Sequence, residues 1–443
     1  MIVYDCFKFF FRKKKNRYWL HKNQPITFVI FSGAAAFITY CSMYAFRKPF
    51  AAATFEGLYF LGMDYKIILI IAQAIGYTAS KFIGIKTVSE LDPNKRIRIL
   101  LILMGIAWLS LLLFAIIPFP YNFLVLVLNG LPLGLIWGIV FSFLEGRRFT
   151  EVLGAIMASS FIFASGVVKA AGRFLIDHFG VSDFWMPFLT GLLFTPILFL
   201  GIYMLAQIPP RDKEDETHRT KRQPMDLKER KIFFSMFAPG IILSIIIYVG
   251  LTILRDLRDN FAVEIWAGLG FSHTPEILAL SEIPIALGVL TIIGLMILIK
   301  NNRNAFYTNQ LIILLGGFLL FAITILFIQH LISPLIWMIM IGFSMYLSYI
   351  SFHVMFYERW IALFKFKSNI GYLMYVSDAF GYLGSTLVLC FKGSGFKRLS
   401  WVDFFSYAGL AIGLIIVISS IVSIVYFRKK EQQLLTNQSN LVD

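Results

Sequence analysis

Charge is scarce in this chain. Asp, Glu, Lys and Arg make up only 15% of its 443 residues, against the ~25% of soluble globular proteins. That excludes a soluble enzyme and equally a disordered chain, which needs many charges and few apolar residues. Cysteine is nearly absent. Cys6, Cys41 and Cys390 show no pairing pattern and no metal-ligand spacing, which excludes a disulfide scaffold and a zinc module. The six histidines are scattered without a helical metal-binding pattern, so no metal site is expected. A nucleophile elbow and a phosphate-cradling glycine loop are also missing. The chain is therefore expected to be no enzyme and to hold no cofactor.

What is present is apolar. Hydrophobic residues are 58% of the chain and the mean hydropathy is +0.76. A membrane-spanning helix needs about 20 apolar residues. Apolar runs cover 26–55 (interrupted at Arg47-Lys48-Pro49), 67–85, 97–117, 121–144, 152–176 and 185–205. After a charged stretch at 211–231 they resume at 233–254, which can run on, 277–299, 308–328, 334–356, 370–391 and 404–427. The pattern predicts an all-α membrane protein of twelve transmembrane helices. The expected layout is a basic N-terminal tail (1–25), a six-helix bundle (26–206), a central loop (207–231), a second six-helix bundle (232–428) and a tail (429–443). Gly130, Gly134 and Gly138 recur every four residues in the fourth run, which predicts close helix packing.

The net charge of +15 would point to nucleic acid in a soluble protein. Placement decides otherwise. Most of the 40 Lys and Arg lie in the N-terminal tail, in the loops after the even-numbered runs, in the central loop and in the C-terminal tail. Cytoplasmic loops collect Lys and Arg, so both termini are expected in the cytoplasm of a multi-pass plasma (inner) membrane protein. Its expected partners are the lipid bilayer and a small molecule, with no nucleic acid. The apolar stretch behind the basic tail is too long for a signal peptide, and no cleavage site follows it.

The two halves repeat each other. Arg47, Phe50, Ala51, Gly57, Leu58 and Phe60 match Arg258, Phe261, Ala262, Gly268, Leu269 and Phe271 at one fixed offset, and Phe55 faces Trp266. Near the same offset, Gln73 matches Glu282, and Phe143-Leu-Glu145 matches Phe356-Tyr-Glu358. In duplicated transporters the substrate site lies at the interface of the repeats.

These features resemble the major facilitator superfamily, and within it the organophosphate:phosphate antiporters. Tyr44-Ala-Phe-Arg47-Lys48-Pro-Phe50 is similar to that branch's first-helix motif, and Ser80-Lys81-Phe82 to its second-helix motif. Glu282 before Ile283-Pro284, Ile341-Gly-Phe343-x-x-Tyr346 and Phe380-Gly-Tyr-Leu-Gly-Ser385 are similar to its patterns in helices eight, ten and eleven. Ala164 stands near the place of its fifth-helix histidine. The resemblance implies two pseudo-symmetric six-helix bundles (the major facilitator fold), transport by alternating access, and a monomer.

Ionisable residues inside spans cost about 3 kcal/mol each at the bilayer centre and default to functional hypotheses. Arg47, with Tyr40 and Tyr44 on its helical face, is a candidate anion ligand, its planar fork suiting phosphate or carboxylate. The plainer reading is snorkelling at the outer end of span one. Arg255 and Arg258 share a face of span seven. Either could be the counterpart of Arg47, or both could pair with Asp256 and Asp259. Lys81, with Tyr77 and Gln73 on its face, adds positive charge. Lys169 and Arg173 form a ladder towards Asp177, either structural or functional. Glu282 and Asp378 are candidates for proton coupling or for pairing with an arginine. His353, with Tyr346 and Tyr349, reads as helix glue or as a proton relay. The predicted function is a secondary transporter of a small anionic solute, phosphorylated or carboxylated. The alternatives are a proton-coupled carrier of a neutral or carboxylated solute and a non-transporting membrane sensor.

Overall fold

A computed structural model describes residues 25–87, 91–145, 147, 149–210, 227–272, 274, 276–364, 370–394 and 399–439. The basic N-terminal tail, most of the central loop, and Lys365 and Lys367 lie outside the described residues. The chain divides into two compact units, Met1–Lys221 with Pro275–Ala279, and Arg222–Thr274 with Leu280–Asp443.

In the first unit six long helices follow the apolar runs: α1 (Pro25–Tyr44), α2 (Tyr65–Thr87), α3 (Arg96–Ile116), α4 (Phe123–Phe141), α5 (Thr150–Phe179) and α6 (Met186–Gln207). α1 packs on α5 and α6, and α4 on α2 and α3. The apolar stretch 26–55 is not one helix. α1 stops at Tyr44, turns through Ala45–Arg47, and resumes as a 3-10 turn, Pro49–Ala52. Pro49 lacks an N–H, which a first helical turn does not need, so it sits where the short helix begins. Beyond it a two-residue ribbon, Tyr59–Phe60 on Met63–Asp64, closes through Leu61 and Gly62, both at positive φ. That is the conformation of a type I′ hairpin turn.

The second unit repeats the plan with α7 (Leu227–Asn260), α8 (Glu282–Ile297), α9 (Asn302–Ile328), α10 (Pro334–Ser351), α11 (Ile370–Ser394) and α12 (Trp401–Ser439). α7 packs on α11 and α12, and α10 on α8 and α9. Each of these pairs is a pair of the first unit shifted by six helices, which is the pseudo-symmetry of a duplicated bundle. α7 breaks at Phe237, two residues before Pro239, where the ring removes a helical hydrogen bond. α10 continues through a π turn, Phe352–Phe356, into the helix Tyr357–Phe364.

Eleven of these helices are long and apolar enough to cross a membrane. The remaining one, α11, carries Asp378 in its middle. Exposed Leu109, Leu193, Leu287, Phe318 and Ile418 face outward, as suits helices surrounded by lipid rather than water.

Two of the three glycines singled out in α4, Gly130 and Gly134, lie at a close helix crossing. A Cβ on Gly130 would collide with backbone atoms of Gln73 and Tyr77, and one on Gly134 would lie 2.6 Å from the Ser80 hydroxyl. On the facing helix Gly76 meets the Val127 carbonyl. α2 and α4 therefore approach backbone to backbone. That contact holds Gln73, Tyr77 and Lys81 in register with α4.

Candidate functional site

The first unit builds its polar cluster on the broken end of α1. A helix end leaves carbonyls without intrahelical partners, and inside a membrane these must be satisfied by protein. Two buried amides do so. Gln73 Nε2 donates to the Arg47 carbonyl at 2.7 Å and to Asn129 Oδ1 at 2.8 Å. Asn129 Nδ2 donates to the carbonyls of Phe46 and Ala107 at 3.1 and 3.0 Å. The turn that carries Arg47 is thus tied to α2, α3 and α4 at once.

Arg47 does not lie on a helical face with Tyr40 and Tyr44, because the helix ends before it. Its guanidinium lies 3.9 Å from the Tyr77 ring centroid and 5.9 Å from that of Tyr44. Lys81 approaches the same Tyr77 ring at 5.2 Å. A cation over a tyrosine ring gains about 0.5–2 kcal/mol, so Tyr77 draws both charges to one place. Tyr40 is buried and meets Tyr44 and Phe161 edge-on, at 5.7 and 5.5 Å. Lys66 donates to the Ala51 carbonyl at 2.8 Å. On α5, Lys169 is buried, while Arg173 is spent on Asp177 at 2.9 Å.

Burial gives this unit a one-sided charge. Arg47, Lys48, Lys66, Lys81, Arg147 and Lys169 are buried, and among the unit's carboxylates whose side chains are described none is. The second unit is balanced. It buries Arg258, Arg359 and Lys392 with Asp256, Asp259, Glu282 and Asp378, and Arg255 is partly buried.

The two arginines of α7 separate by geometry. Arg258 Nη1 donates to Glu282 Oε1 at 2.6 Å, and Nη2 to the Met338 carbonyl at 3.4 Å. Gly342 leaves room for this guanidinium, since a Cβ there would lie 3.0 Å from Arg258 Cζ and Nη2. The repeat is thereby visible in contacts. Gln73 holds the Arg47 backbone, and its counterpart Glu282 holds the Arg258 side chain.

Arg255 points elsewhere. Its Nε and Nη2 donate to Asp256 Oδ1 at 3.1 and 2.8 Å, and its Nη1 donates to the Tyr349 hydroxyl. Its guanidinium lies 4.6 Å from the Tyr349 ring centroid and 5.5 Å from that of Tyr382. Beside it, the Tyr248 hydroxyl is 2.5 Å from Asp378 Oδ1, 2.8 Å from His353 Nε2 and 3.1 Å from the Tyr349 hydroxyl. Asp378 and His353, suspected separately from the sequence, are brought together by Tyr248. His353 lies in the π turn that follows α10. The sequence reading missed Asn129 and Lys66. A lone amide inside an apolar run was the only signal for the first.

Among the described residues no group of three His, Cys, Asp or Glu could hold a metal ion. No curated protein sequence matches the chain. Solved transporter structures share its fold. A D-xylose-proton symporter aligns at TM-score 0.57 over 88% of this chain and 96% of its own, with 13% identity. The nucleoside transporter NupG aligns at TM-score 0.60 over 90% and 98%, with 14% identity. The chain has the major facilitator fold and is a multi-pass membrane protein. One sequence family covers nearly all of it, matching residues 49–430, and the chain belongs to that family, described as a family of unknown function (DUF5690).

Proposed function

We propose that the chain is a secondary transporter, not an enzyme, that moves a small anionic solute, phosphorylated or carboxylated, by alternating access. The observation that carries this reading is the convergence of Arg47 and Lys81 on the Tyr77 ring, in a unit that buries six cations and none of the carboxylates whose side chains are described. Arg47 and Lys81 meet over one ring, that of Tyr77, and two like charges held that close favour an anion between them. Arg47 is the first ligand, its flat guanidinium presented by Tyr77 and its backbone held by Gln73. Lys81 and Tyr44 complete the binding set, Tyr40 backs Tyr44 from behind, and Lys169 adds positive field. In the second unit Arg255, which lies over the rings of Tyr349 and Tyr382 as Arg47 lies over that of Tyr77, is the candidate ligand, while Arg258 is held by Glu282 and a carbonyl. Glu282 and Arg258 are then a structural clasp, and Arg173 with Asp177 a helix-end pair.

The finer placement follows the sequence motifs, with exchange of an organophosphate for inorganic phosphate. The distribution of Lys and Arg supports a plasma (inner) membrane location with both termini in the cytoplasm. The chain acts as a monomer, and its bundles are those predicted at 26–206 and 232–428.

The test is a thermal-shift screen of the purified protein against phosphorylated and carboxylated metabolites, D-xylose and nucleosides. Uptake of each hit into reconstituted vesicles follows. Stabilisation by anions, weakened by about 2 kcal/mol or roughly thirtyfold in Arg47→Gln, supports the reading. Stabilisation by the sugar or the nucleosides alone would replace it with a carrier of neutral solutes, as the two structural neighbours are named to be. Binding without flux would leave a sensor.

A further inference from the structure

The second unit holds a cluster that the anion does not need. Tyr248 of α7 offers one hydroxyl to three neighbours, Asp378 Oδ1 at 2.5 Å, His353 Nε2 at 2.8 Å and the Tyr349 hydroxyl at 3.1 Å. A phenol has one proton to donate and can accept from the others. Its hydrogen bonds therefore have two self-consistent directions. With Asp378 ionised, Tyr248 donates to the carboxylate and accepts from His353 Nε2–H. With Asp378 protonated, the acid donates to Tyr248, and Tyr248 donates to a bare Nε2.

We propose that Asp378, Tyr248 and His353 form a proton-binding site in the second unit, with the hydroxyl as the relay between its two ends. A proton that arrives at Nδ1 of the neutral imidazole makes an imidazolium. Its Nε2 proton passes to the Tyr248 oxygen as the phenol proton passes to Asp378 Oδ1. One proton has been taken up. The imidazole is again neutral, now carrying its proton on Nδ1, and the carboxylate has become an acid. Release runs the same path backwards. Nothing is oxidised, and no other reactant is required.

The surroundings suit a group that changes charge. From α7, Arg255 reaches the cluster at the Tyr349 hydroxyl and is itself held by Asp256. From α10 and its continuation come Tyr349, His353 and Tyr357, the last bound to Ser377 beside Asp378. From α11 comes Tyr382, over which Arg255 lies. α12, packed on the other side of α7, presents Ile412 to Gly250. A π turn places His353 here. Such turns are rare and recur at functional sites, and ionisable groups in spans mark proton paths. In the carrier proposed above, this site would load a proton with the anion, so the transport consequence rests on that reading while the proton site itself does not.

Infrared difference spectra of the full-length protein in lipid nanodiscs, taken as the pH is lowered, test it. A carboxylic-acid carbonyl band should grow, be lost in Asp378→Asn, shift in Tyr248→Phe and persist in Glu282→Gln. A band unchanged in Asp378→Asn, or no titrating band while the protein stays folded, overturns the proposal and leaves a structural network. Tyr248→Phe keeps the ring, so it reports on the relay even where Asp378→Asn unfolds. Inorganic phosphate added to the same samples in a thermal-shift measurement keeps the two readings apart. A phosphate response without the band sinks the proton site alone, and a band without a phosphate response sinks the phosphate substrate alone.

Discussion

Arg258 and Glu282 show what a charge inside a bundle demands of its neighbours. Both side chains are buried and they meet at 2.6 Å. Removing one partner leaves the other as an uncompensated buried charge, which costs about 3–5 kcal/mol. Glu282→Ala should therefore lower the unfolding temperature sharply in detergent, and Arg258→Met combined with Glu282→Met should recover most of the loss. A double variant no more stable than Glu282→Ala would contradict the clasp. These two residues were legible because the repeat set each against a first-half counterpart. Asn129 was not legible. Its work is to hold the Phe46 carbonyl, and that need exists only because α1 ends at Tyr44. Ala51–Phe55 is apolar enough to pass for more helix, so the break, and the amide that repairs it, stayed hidden in the composition.

Helices were easier to foresee than their ends. Each apolar run of the sequence carries a long helix of the structure, because a run near 20 residues has no other way to satisfy its backbone in lipid. The π turn at Phe352–Phe356 leaves no periodic trace, since the residues around it are apolar or aromatic on nearly every side and offer no single face whose shift could be seen. α12 runs on to Ser439, past its apolar stretch, where Arg303 and Tyr307 of α9 both bind Glu431, at 2.7 and 2.8 Å. The crossing of α2 and α4 gives a test at this scale. Gly130→Ala forces a methyl against backbone, and overpacking of this kind costs about 1–3 kcal/mol. The same change should weaken anion binding, because Gln73 and Tyr77 flank the contact. Gly105→Ala in α3 meets open space and should be neutral or stabilising by up to about 1 kcal/mol. Equal effects of the two substitutions on melting temperature would argue against the close crossing.

For the molecule as a whole, hydropathy and the internal repeat foretold a duplicated membrane bundle. They could not foretell how charge divides inside it. Counting residues finds cations and carboxylates in both halves. Only burial separates them, because six of the first unit's cations are buried while those of its acids whose side chains are described are not. That division has an electrical consequence. One elementary charge moved through 100 mV gains or loses about 2.3 kcal/mol. An empty carrier with fixed positive charge in its interior feels the membrane voltage as it changes state, and the same carrier neutralised by its anion feels it less. Voltage then acts mainly on the return of the empty protein. Recordings on solid-supported membranes should show a charge displacement when anion binds, smaller in Arg47→Gln, and turnover limited by the empty step should steepen with potential. In the carrier proposed above, the buried cations would thus make the first unit a voltage-sensitive element whose sensitivity the anion switches off.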